Sequence, residues 1–256
     1  MKREKACVDS RREKVLSMIQ RDPELRVNQL AEILEVSLVT IRRDLRFLEE
    51  EGLLTRTYGG AIPIEVTKDD MDEIRLYRTL IAKYAARFVS DGDTLFINTS
   101  RNALSVLQYI DKDNVTVITN NGKAIHSEHG RGVSVVLTGG ELRNPKDAMV
   151  GDFAVRNLQT VFAKKAFVGC SGVSAEAGMT TELFSEVSIN ELMIDHTTQD
   201  VYLLADHTKI GMNSSFTSSP IEKIKYLITD GEAPEEALEE IRARGVTVYQ
   251  VHKSDF

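Results

Sequence analysis

The side chains whose types and spacing most clearly indicate a chemistry lie between residues 40 and 46. They are Thr40, Arg42, Arg43 and Arg46. At helical spacing they can project from one side of a helix toward phosphates and base edges, and an arginine can bind phosphate or guanine through two parallel hydrogen bonds. The pattern predicts a contact with double-stranded DNA. The alternative is a solvated basic face, which is the usual role of a run of charges.

A capped amphipathic helix would hold these side chains in place. An apolar stripe at i, i+4 and i+7 predicts a buried face along a recognition helix from residue 38 to residue 51. The stripe consists of Ile41, Leu45 and Leu48. Ser37 can cap the free amide groups of the first turn. Apolar stripes in the two preceding segments predict supporting helices, and the short turn predicts a helix-turn-helix over about residues 25–44.

A short hairpin is predicted to follow the recognition helix. Residues 53–62 alternate apolar and polar side chains around a glycine pair, as a small wing does. The wing would make Arg56 and Tyr58 available to the phosphate backbone. The predicted DNA-contacting set is therefore Ser37, Thr40, Arg42, Arg43, Arg46, Arg56 and Tyr58. For the ordered set as a whole, we favour a DNA-reading domain over a three-helix bundle with a solvated face.

The rest of the chain alternates strands and helices. Short β-rich runs occur at 94–98, 115–119, 133–137, 165–169, 201–205, 226–230 and 246–251. Helical stretches separate many of them, notably 101–109, 153–163, 182–195 and 235–244. This alternation favours right-handed crossovers, a mostly parallel sheet and helices on both faces.

Polar residues cluster where four of the predicted strands end. The segments are 98–102, 119–121, 138–141 and 205–209. In an open α/β sheet the ligand crevice lies outside the carboxyl ends of the strands. Hydroxyl and amide groups can bind sugar hydroxyls, and a glycine pair lets the backbone approach a ligand. The pattern predicts a site for an anionic, hydroxylated small molecule, although polar residues after strands are also ordinary turn formers.

The charges are distributed unevenly along the chain. The 256 residues carry a net charge of −7. Residues 1–62 hold 12 Lys and Arg against 11 Asp and Glu, whereas the remainder holds 20 against 28. The acidity therefore belongs to the second part. The local placement of arginines governs phosphate contact more than the total charge does.

Length and composition favour two domains in the cytoplasm. The chain exceeds one average domain, and it has neither a run of about 18 apolar residues nor the apolar stretch of a signal peptide. Cys7 and Cys170 are far apart in sequence, so we expect no structural disulfide. For Cys170 we favour a packed small thiol over a redox sensor.

The run VSLVTIRRDLRFLEEEGLLTRTYGGA, residues 36–61, resembles the amino-terminal signature of the DeoR family of bacterial transcription regulators. That family shares a VS-x-x-TIRRDL-x-x-LE core followed by a wing ending in GGA. The resemblance implies that the side chains facing DNA are Thr40, Arg42, Arg43 and Arg46. It also implies that Ile41, Leu45 and Leu48 pack inward.

The second part resembles the effector domain of the same family. The matching motifs are DGDTLFIN, VITNN, LTGGELR, KAFVGCSG and LADHTKIG. The resemblance implies a fold similar to that of ribose-5-phosphate isomerases and CoA transferases, and an effector that is a phosphorylated sugar or related metabolite. It implies a site lined by Thr119, Asn120, Gly139, Gly140, Asp206 and Lys209. Lys209 is the best candidate for contacting the charge of the effector.

The loop after the first strand of this domain departs from the family pattern. Where the family usually has Asp-Ser-Gly-Thr-Thr, this chain has Asn98-Thr99-Ser100-Arg101-Asn102. Arg101 could clamp a phosphate or carboxylate with two hydrogen bonds. Alternatively, it fills the site or pairs with a nearby acid. We favour the clamp and add Thr99, Ser100, Arg101 and Asn102 to the predicted effector-binding residues.

The prediction is a winged helix-turn-helix domain at 8–63, a linker at 64–73 and an α/β effector domain at 74–256. We expect a DNA-binding transcription regulator, more specifically a repressor of carbohydrate-catabolism genes, whose operator affinity is controlled by the effector. Because helix-turn-helix proteins read half-sites in pairs, we expect a homo-oligomer, either a dimer or a tetramer. We expect no cofactor and no membrane partner.

Three other functions fit the sequence less well. An isomerase-like enzyme that binds sugar phosphates is the main alternative, because Glu141, Asp206 and Lys209 could supply acid–base groups. An attached DNA-reading domain makes sensing the simpler use of the site, so we expect no catalytic residues. A metal site at His126 and His129 lacks a third ligand at a familiar spacing, and a scaffold role lacks a readable exposed apolar face.

Overall fold

Three helices and a two-stranded hairpin form the amino-terminal part of the chain. Their bounds are α1 Lys2–Arg21, α2 Val27–Ile33, α3 Leu38–Glu50, β1 Leu54–Thr57 and β2 Gly60–Pro63. The computed structural model describes residues 2–22, 25–50, 53–57, 60–63, 68–144 and 146–255. The chain divides into two compact units, Met1–Glu73 and Ile74–Phe256.

Helix α3 has the capped, amphipathic form that its sequence predicts. Ile41, Leu45 and Leu48 are buried and pack with residues of α1, α2 and the hairpin. The Ser37 hydroxyl oxygen accepts a hydrogen bond from the backbone N–H of Thr40 at 3.1 Å, so Ser37 caps the first turn. Strands β1 and β2 pair antiparallel, which confirms the predicted wing.

A buried carboxylate joins α3 to α1. Asp44 is fully buried and accepts hydrogen bonds from Arg11 Nε at 2.6 Å and from Arg12 Nε at 3.2 Å. The Arg12 guanidinium also lies 3.6 Å from the centroid of the Phe47 ring. A buried charge is costly unless it is paired, so the two arginines make the position of Asp44 possible. The pairing fixes α3 against the rest of the unit.

The second unit is built on a seven-stranded sheet. Its strands are β3 Thr94–Ile97, β4 Val115–Thr119, β5 Val133–Leu137, β8 Ala163–Gly169, β11 Thr197–Leu204, β13 Tyr226–Asp230 and β14 Thr247–Val251. The remaining helices are α4 Lys68–Ala86, which begins before the second unit, α5 Arg101–Ser105, α6 Asp152–Leu158, α7 Phe184–Asp195 and α8 Glu235–Ala243. A 3-10 helix, Val106–Tyr109, continues α5. The seven strands are those predicted from the sequence.

Every pairing in this sheet is parallel, and the strand order is β14-β13-β11-β8-β3-β4-β5. The chain first adds strands in one direction, from β3 to β5, and then in the other, from β8 to β14. The order therefore reverses between β3 and β8. A reversal of this kind opens a crevice at the carboxyl ends of the two strands.

Two apolar cores cover the two faces of the sheet. Phe96 and Val168 face the core that includes α6, α7 and α8, whereas Leu95 and Phe167 face the core that includes α4 and α5. This alternation is the two-residue period of a strand. It explains why the strands appear in the sequence as continuous apolar runs, since both faces are buried.

Three details differ from the prediction. Residues 68–73, predicted as part of a linker, form the start of α4. The segment has no apolar period, but acidic residues in a first turn favour a helix. The helix predicted over 153–163 ends at Leu158, because the backbone N–H of Ala163 bonds to the carbonyl of His196 and starts β8.

The third difference is a set of short strands that sequence analysis did not predict. Strands β9 Gly172–Ser174, β10 Gly178–Thr181 and β12 Phe216–Ser219 form an antiparallel sheet, and β6 Glu141–Arg143 pairs with β7 Ala148–Val150. Each has only three or four residues. Most are therefore shorter than the runs from which a strand can be recognised.

Replacing Asp44 with Ala should loosen α3. The variant loses its hydrogen bonds to two charged groups, and both arginines lose their buried partner, so we expect a loss of about 2 kcal/mol in local stability. Hydrogen exchange of the α3 backbone amides measures this free energy of opening. Glu32→Ala, at an exposed acid of α2, is the matched control. Unchanged α3 protection in Asp44→Ala would show that the ion pairs do not anchor the helix.

Candidate functional site

The outward face of α3 presents arginines opposite its buried stripe. Arg42 and Arg43 are exposed and Arg46 is half-buried. Because Ile41 and Leu45 hold the other face in the core, the guanidinium groups project away from the helix bundle. This face can form bidentate hydrogen bonds with phosphates and with the major-groove edge of guanine.

The other predicted DNA-contacting residues differ in their settings. The hydroxyl groups of Ser37 and Thr40 lie 2.8 Å apart and bond to each other, and Thr40 is half-buried. These two side chains are thus engaged in capping α3. Arg56 contributes backbone pairing to the hairpin, opposite Ala61. Tyr58 and the side chain of Arg56 lie outside the described residues.

In the second unit, Asn98 joins the ends of β3 and β8, on the two sides of the crevice. Its side-chain Nδ2 donates to the Gly169 carbonyl at 2.9 Å, and its Oδ1 accepts from the Gly169 N–H at 3.0 Å. Ser100 packs so closely on Gly169 that a Cβ there would lie 2.0 Å from its Oγ. Only glycine permits this approach. The predicted loop 98–102 is therefore held against the end of β8.

A buried glutamate supports the same loop from α7. Glu186 accepts hydrogen bonds from the hydroxyl groups of Thr99 at 2.8 Å and Thr181 at 2.7 Å. Lys146 completes the cluster with a bond to the second carboxylate oxygen at 3.2 Å. The hydroxyl of Thr99, predicted to bind the effector, thus serves the carboxylate of Glu186. Asn102 is buried, Ser100 is half-buried and Arg101 is exposed.

The ends of β4 and β5 contribute the next part of the edge. The Asn121 amide donates to the carbonyl of Thr99 at 3.1 Å, which links the two loops. Asn120 donates from Nδ2 to the Met149 carbonyl at 3.3 Å. Within the described part of the chain, its Oδ1 is buried and accepts no hydrogen bond. A buried acceptor of this kind costs stability unless a donor reaches it.

The two glycines after β5 serve different purposes. Gly139 and Gly140 have φ of 68° and 109°, in the left-handed region that favours glycine. A Cβ on Gly140 would lie 2.6 Å from the Val150 carbonyl oxygen, so this glycine lets the chain pass β7. Gly139 has more open surroundings, with Asn157 Nδ2 as the nearest atom at 4.0 Å from a Cβ.

A buried ion pair connects the loop after β11 to α4. Arg78 Nε donates to Asp206 Oδ2 at 2.8 Å, and the two side chains are only 10% and 1% exposed. Burial alone would raise the pKa of Asp206, but the charges of Arg78 and Lys209 lower it to about 2. Asp206 is therefore ionised at neutral pH. Its other oxygen accepts from the N–H and hydroxyl of Thr208.

The residues that flank Asp206 are held from β13. His207 bonds to the buried Asp230 through its backbone N–H at 2.8 Å and through Nδ1 at 2.9 Å. The hydrogen bond to Asp230 raises the pKa of His207. Lys209 is half-buried, and its charge acts on Asp206 and on the Cys170 thiol. Burial raises the pKa of Cys170 to about 12, so it stays a neutral thiol, as expected of a packed side chain.

Sequence reasoning missed several residues that position these sites. Asp44, Arg78 and Glu186 were not predicted, yet each is buried and pairs with the elements that carry the predicted residues. A signal was available for each. Each lies three or four residues from a buried apolar side chain of its own helix, so it falls on the buried face, where a charged residue needs a partner.

The groups considered for catalysis or metal binding are dispersed. Glu141 is exposed and pairs with Arg143 on its own strand. His126 and His129 are exposed as well. Across the described ranges, no three His, Cys, Asp or Glu residues are grouped as a metal would require. Over the same ranges, every helix is too short or too polar to cross a membrane.

Comparison with protein families gives two matches, one in each unit. Residues 11–67 match the DeoR-like helix-turn-helix domain, and residues 75–231 match the DeoR C terminal sensor domain. The class of protein is thus a transcription regulator with a DNA-binding domain and a sensor domain. The chain belongs to the DeoR family of transcriptional regulators.

Relatives match over nearly the whole chain. The HTH-type transcriptional regulator GlpR of Haloferax volcanii is 31% identical, covering 93% of this chain and 96% of that protein. A putative aga operon transcriptional repressor of Escherichia coli O157:H7 is 26% identical, covering 94% and 93%. The lactose phosphotransferase system repressor of Staphylococcus aureus is 29% identical, covering 91% and 95%.

Solved structures match part of the chain. Ribose 5-phosphate isomerase from Plasmodium falciparum aligns with a TM-score of 0.37 and 13% identity, over 54% of this chain and 52% of that one. The eIF2B beta structure from Chaetomium thermophilum aligns with a TM-score of 0.42 and 14% identity, over 62% and 50%.

The lowered pKa of Asp206 predicts a measurable pH dependence. Because its pKa is lower in the folded state, its contribution to stability is present above about pH 4 and is lost as the pH falls toward 2. Between pH 7 and pH 3, the free energy of unfolding of the wild type should therefore fall by about 1 kcal/mol more than that of Asp206→Asn. Urea unfolding at each pH measures this, with the exposed Asp111→Asn as control. Parallel curves for wild type and Asp206→Asn would contradict the assignment.

Proposed function

We propose that this chain is a repressor of carbohydrate-catabolism genes that binds operator DNA as a symmetric dimer or tetramer. In this proposal α3 enters the major groove, and a small anionic metabolite such as a sugar phosphate binds at the carboxyl edge of the seven-stranded sheet. Effector binding lowers operator affinity. The printed names of the aga operon and lactose phosphotransferase system repressors support the repressor role and the carbohydrate setting.

The observation that carries the proposal is the division of α3 into two faces. Ile41 and Leu45 are buried, while Arg42 and Arg43 are exposed and backed by a helix that Asp44 anchors. A helix held rigidly behind its basic face does not have to be ordered when DNA binds, so less conformational entropy is lost on binding. This is the arrangement that a recognition helix requires.

The electrostatics of the sheet edge support an anionic effector. The buried acids Asp206 and Glu186 are each paired with a cation, Arg78 and Lys146. Lys209 places a second positive charge next to Asp206. Because Arg78 already forms the ion pair with Asp206, the charge of Lys209 is available to a ligand. Asn120 Oδ1 accepts no hydrogen bond from the described residues, and it is an acceptor suited to a sugar hydroxyl. We assign the contact with the effector's charge to Lys209 and a hydroxyl contact to Asn120.

Helix α4 provides a route by which the effector acts on DNA binding. It runs from Lys68 to Ala86 and so includes residues of both units. Arg78 and Tyr77, on this helix, contact the loops after β11 and β13 through Asp206 and Glu232. An anion that draws Lys209 away removes a positive charge from beside Asp206, and so alters the ion pair between Asp206 and Arg78. The effector thus favours one position of α4. By thermodynamic linkage, the effector lowers operator affinity by the same factor by which the operator lowers effector affinity.

The isomerase-like alternative is disfavoured by the state of its acid–base candidates. A general base works best with a pKa near the operating pH. Asp206 has a pKa of about 2 and is fully engaged by Arg78 and Thr208. Glu141 is exposed and paired with Arg143. We therefore propose sensing without turnover, and conversion of a pentose or hexose phosphate by the purified chain would overturn this.

Replacing Arg43 with Ala should weaken operator binding. If Arg43 reads a base, the loss is about 1–3 kcal/mol, or roughly 5–150-fold in Kd, and the base preference relaxes at one position of the site. The operator is obtained by in vitro selection with the full chain, and Kd is measured by fluorescence anisotropy. Arg131→Ala, at an exposed arginine of the second unit, is the control. Unaltered affinity and base preference in Arg43→Ala would remove this residue from the interface.

Replacing Lys209 with Ala should abolish the effector response and leave DNA binding intact. A panel of pentose and hexose phosphates is screened for a rise in Tm of the wild type, because a ligand of the folded state stabilises it by mass action. The active compound should neither stabilise the variant nor release it from the operator. Lys225→Ala, at an exposed lysine preceding β13, should respond as the wild type does. Retained induction in Lys209→Ala would exclude Lys209 from the site.

A further inference from the structure

A large apolar side chain lies exposed among the charges of α3. Val39 is 73% exposed, although Leu45 and Ile41 on the same helix are buried. Val39 is also β-branched, and such residues are not favoured at solvated helix positions, where they lose side-chain freedom without gaining packing. Its exposure in the free protein leaves its apolar surface available to a partner.

The position of Val39 on the helix places it among the arginines. An α-helix turns about 100° per residue, so residues at i, i+3, i+4 and i+7 share a face. Val39, Arg42, Arg43 and Arg46 have this spacing. The centre of the face that they share is opposite the buried stripe that begins at Ile41. Val39 therefore belongs to the face that carries the exposed guanidinium groups.

Val39 is also the second residue of α3. In helix-turn-helix proteins the amino-terminal residues of the recognition helix contact base edges, whereas flanking residues contact the backbone. A hydrocarbon side chain cannot hydrogen-bond to a base, and a phosphate would gain nothing from it. The one apolar group on the major-groove edge of a base pair is the C5-methyl group of thymine.

We propose that Val39 determines part of the sequence specificity of this protein by packing against a thymine C5-methyl group in each operator half-site. The proposal rests on the proposed function, in which α3 lies in the major groove. The arginines supply hydrogen bonds to phosphates and guanine, and Val39 supplies discrimination at a position that they do not read. Cytosine lacks the methyl group, so a T·A to C·G change at that position removes the contact.

The test removes the methyl group alone. An operator is selected in vitro with the full wild-type chain, and each thymine is replaced in turn by deoxyuridine, which differs only by that methyl group. Burying one methyl group is worth about 0.8 kcal/mol, so a single deoxyuridine at the contacted position of one half-site should weaken wild-type binding about fourfold. Val39→Ala should bind the thymine operator more weakly and should not distinguish deoxyuridine from thymine at that position. Ile33→Ala, at an exposed apolar residue of α2, should show the wild-type profile.

Each outcome decides the proposal. Loss of the deoxyuridine effect in Val39→Ala, with the effect kept in Ile33→Ala, supports it. It is overturned if the wild type tolerates deoxyuridine at every position, or if Val39→Ala keeps the wild-type profile. Failure of the underlying function is distinguishable, because the wild type then selects no operator or Arg43→Ala binds it unchanged. In that case the proposal falls with the placement of α3.

Discussion

The buried ion pair between Arg78 and Asp206 is the interaction on which the sensing half of the structure depends. At 2.8 Å, with Asp206 fully enclosed, each charge is compensated by the other in surroundings where either alone would be costly. Asp206 also accepts hydrogen bonds from Thr208, so the pair orders the turn that presents Lys209. One interaction therefore keeps α4, the end of β11 and the proposed ligand cation together.

The same principle orders the rest of the molecule. Asp44 ties the recognition helix to Arg11 and Arg12, and Glu186 ties the loop after β3 to α7 and Lys146. Because these acids are paired with other cations, they do not pair with the exposed arginines of α3 or with the half-buried Lys209. In the proposed function, these arginines bind DNA and Lys209 binds an anionic ligand. The chain carries a net charge of −7. Its acidity is compatible with two anionic partners, because the buried acids Asp44, Glu186 and Asp206 are each paired with a cation.

Periodicity predicted the elements because each has a buried face. The rule predicted α3 from its apolar stripe and the seven sheet strands from their apolar runs. The predicted bounds lie close to those in the structure. The short strands β6, β7, β9, β10 and β12 were missed, since segments of three or four residues depend on tertiary pairing.

The site could be predicted only in part, for a related reason. Polar residues after strands indicated the carboxyl edge of the sheet as a candidate site, but not which of their hydrogen bonds are made within the protein. Thr99 serves Glu186 and Asp206 serves Arg78, partners that lie 87 and 128 residues away in sequence. Spacing cannot reveal such pairs, although a charge on an apolar stripe signals that one exists. Val39 is the converse, an apolar residue on a charged face.

In the proposed function, effector binding and operator binding are linked within one chain. The most direct test is the operator Kd of the wild type, measured without ligand and with a saturating concentration of the sugar phosphate that most raises its Tm. We expect the operator Kd to rise roughly 5–150-fold, the usual range of allosteric coupling. An operator Kd that stays the same while that ligand is bound would contradict it.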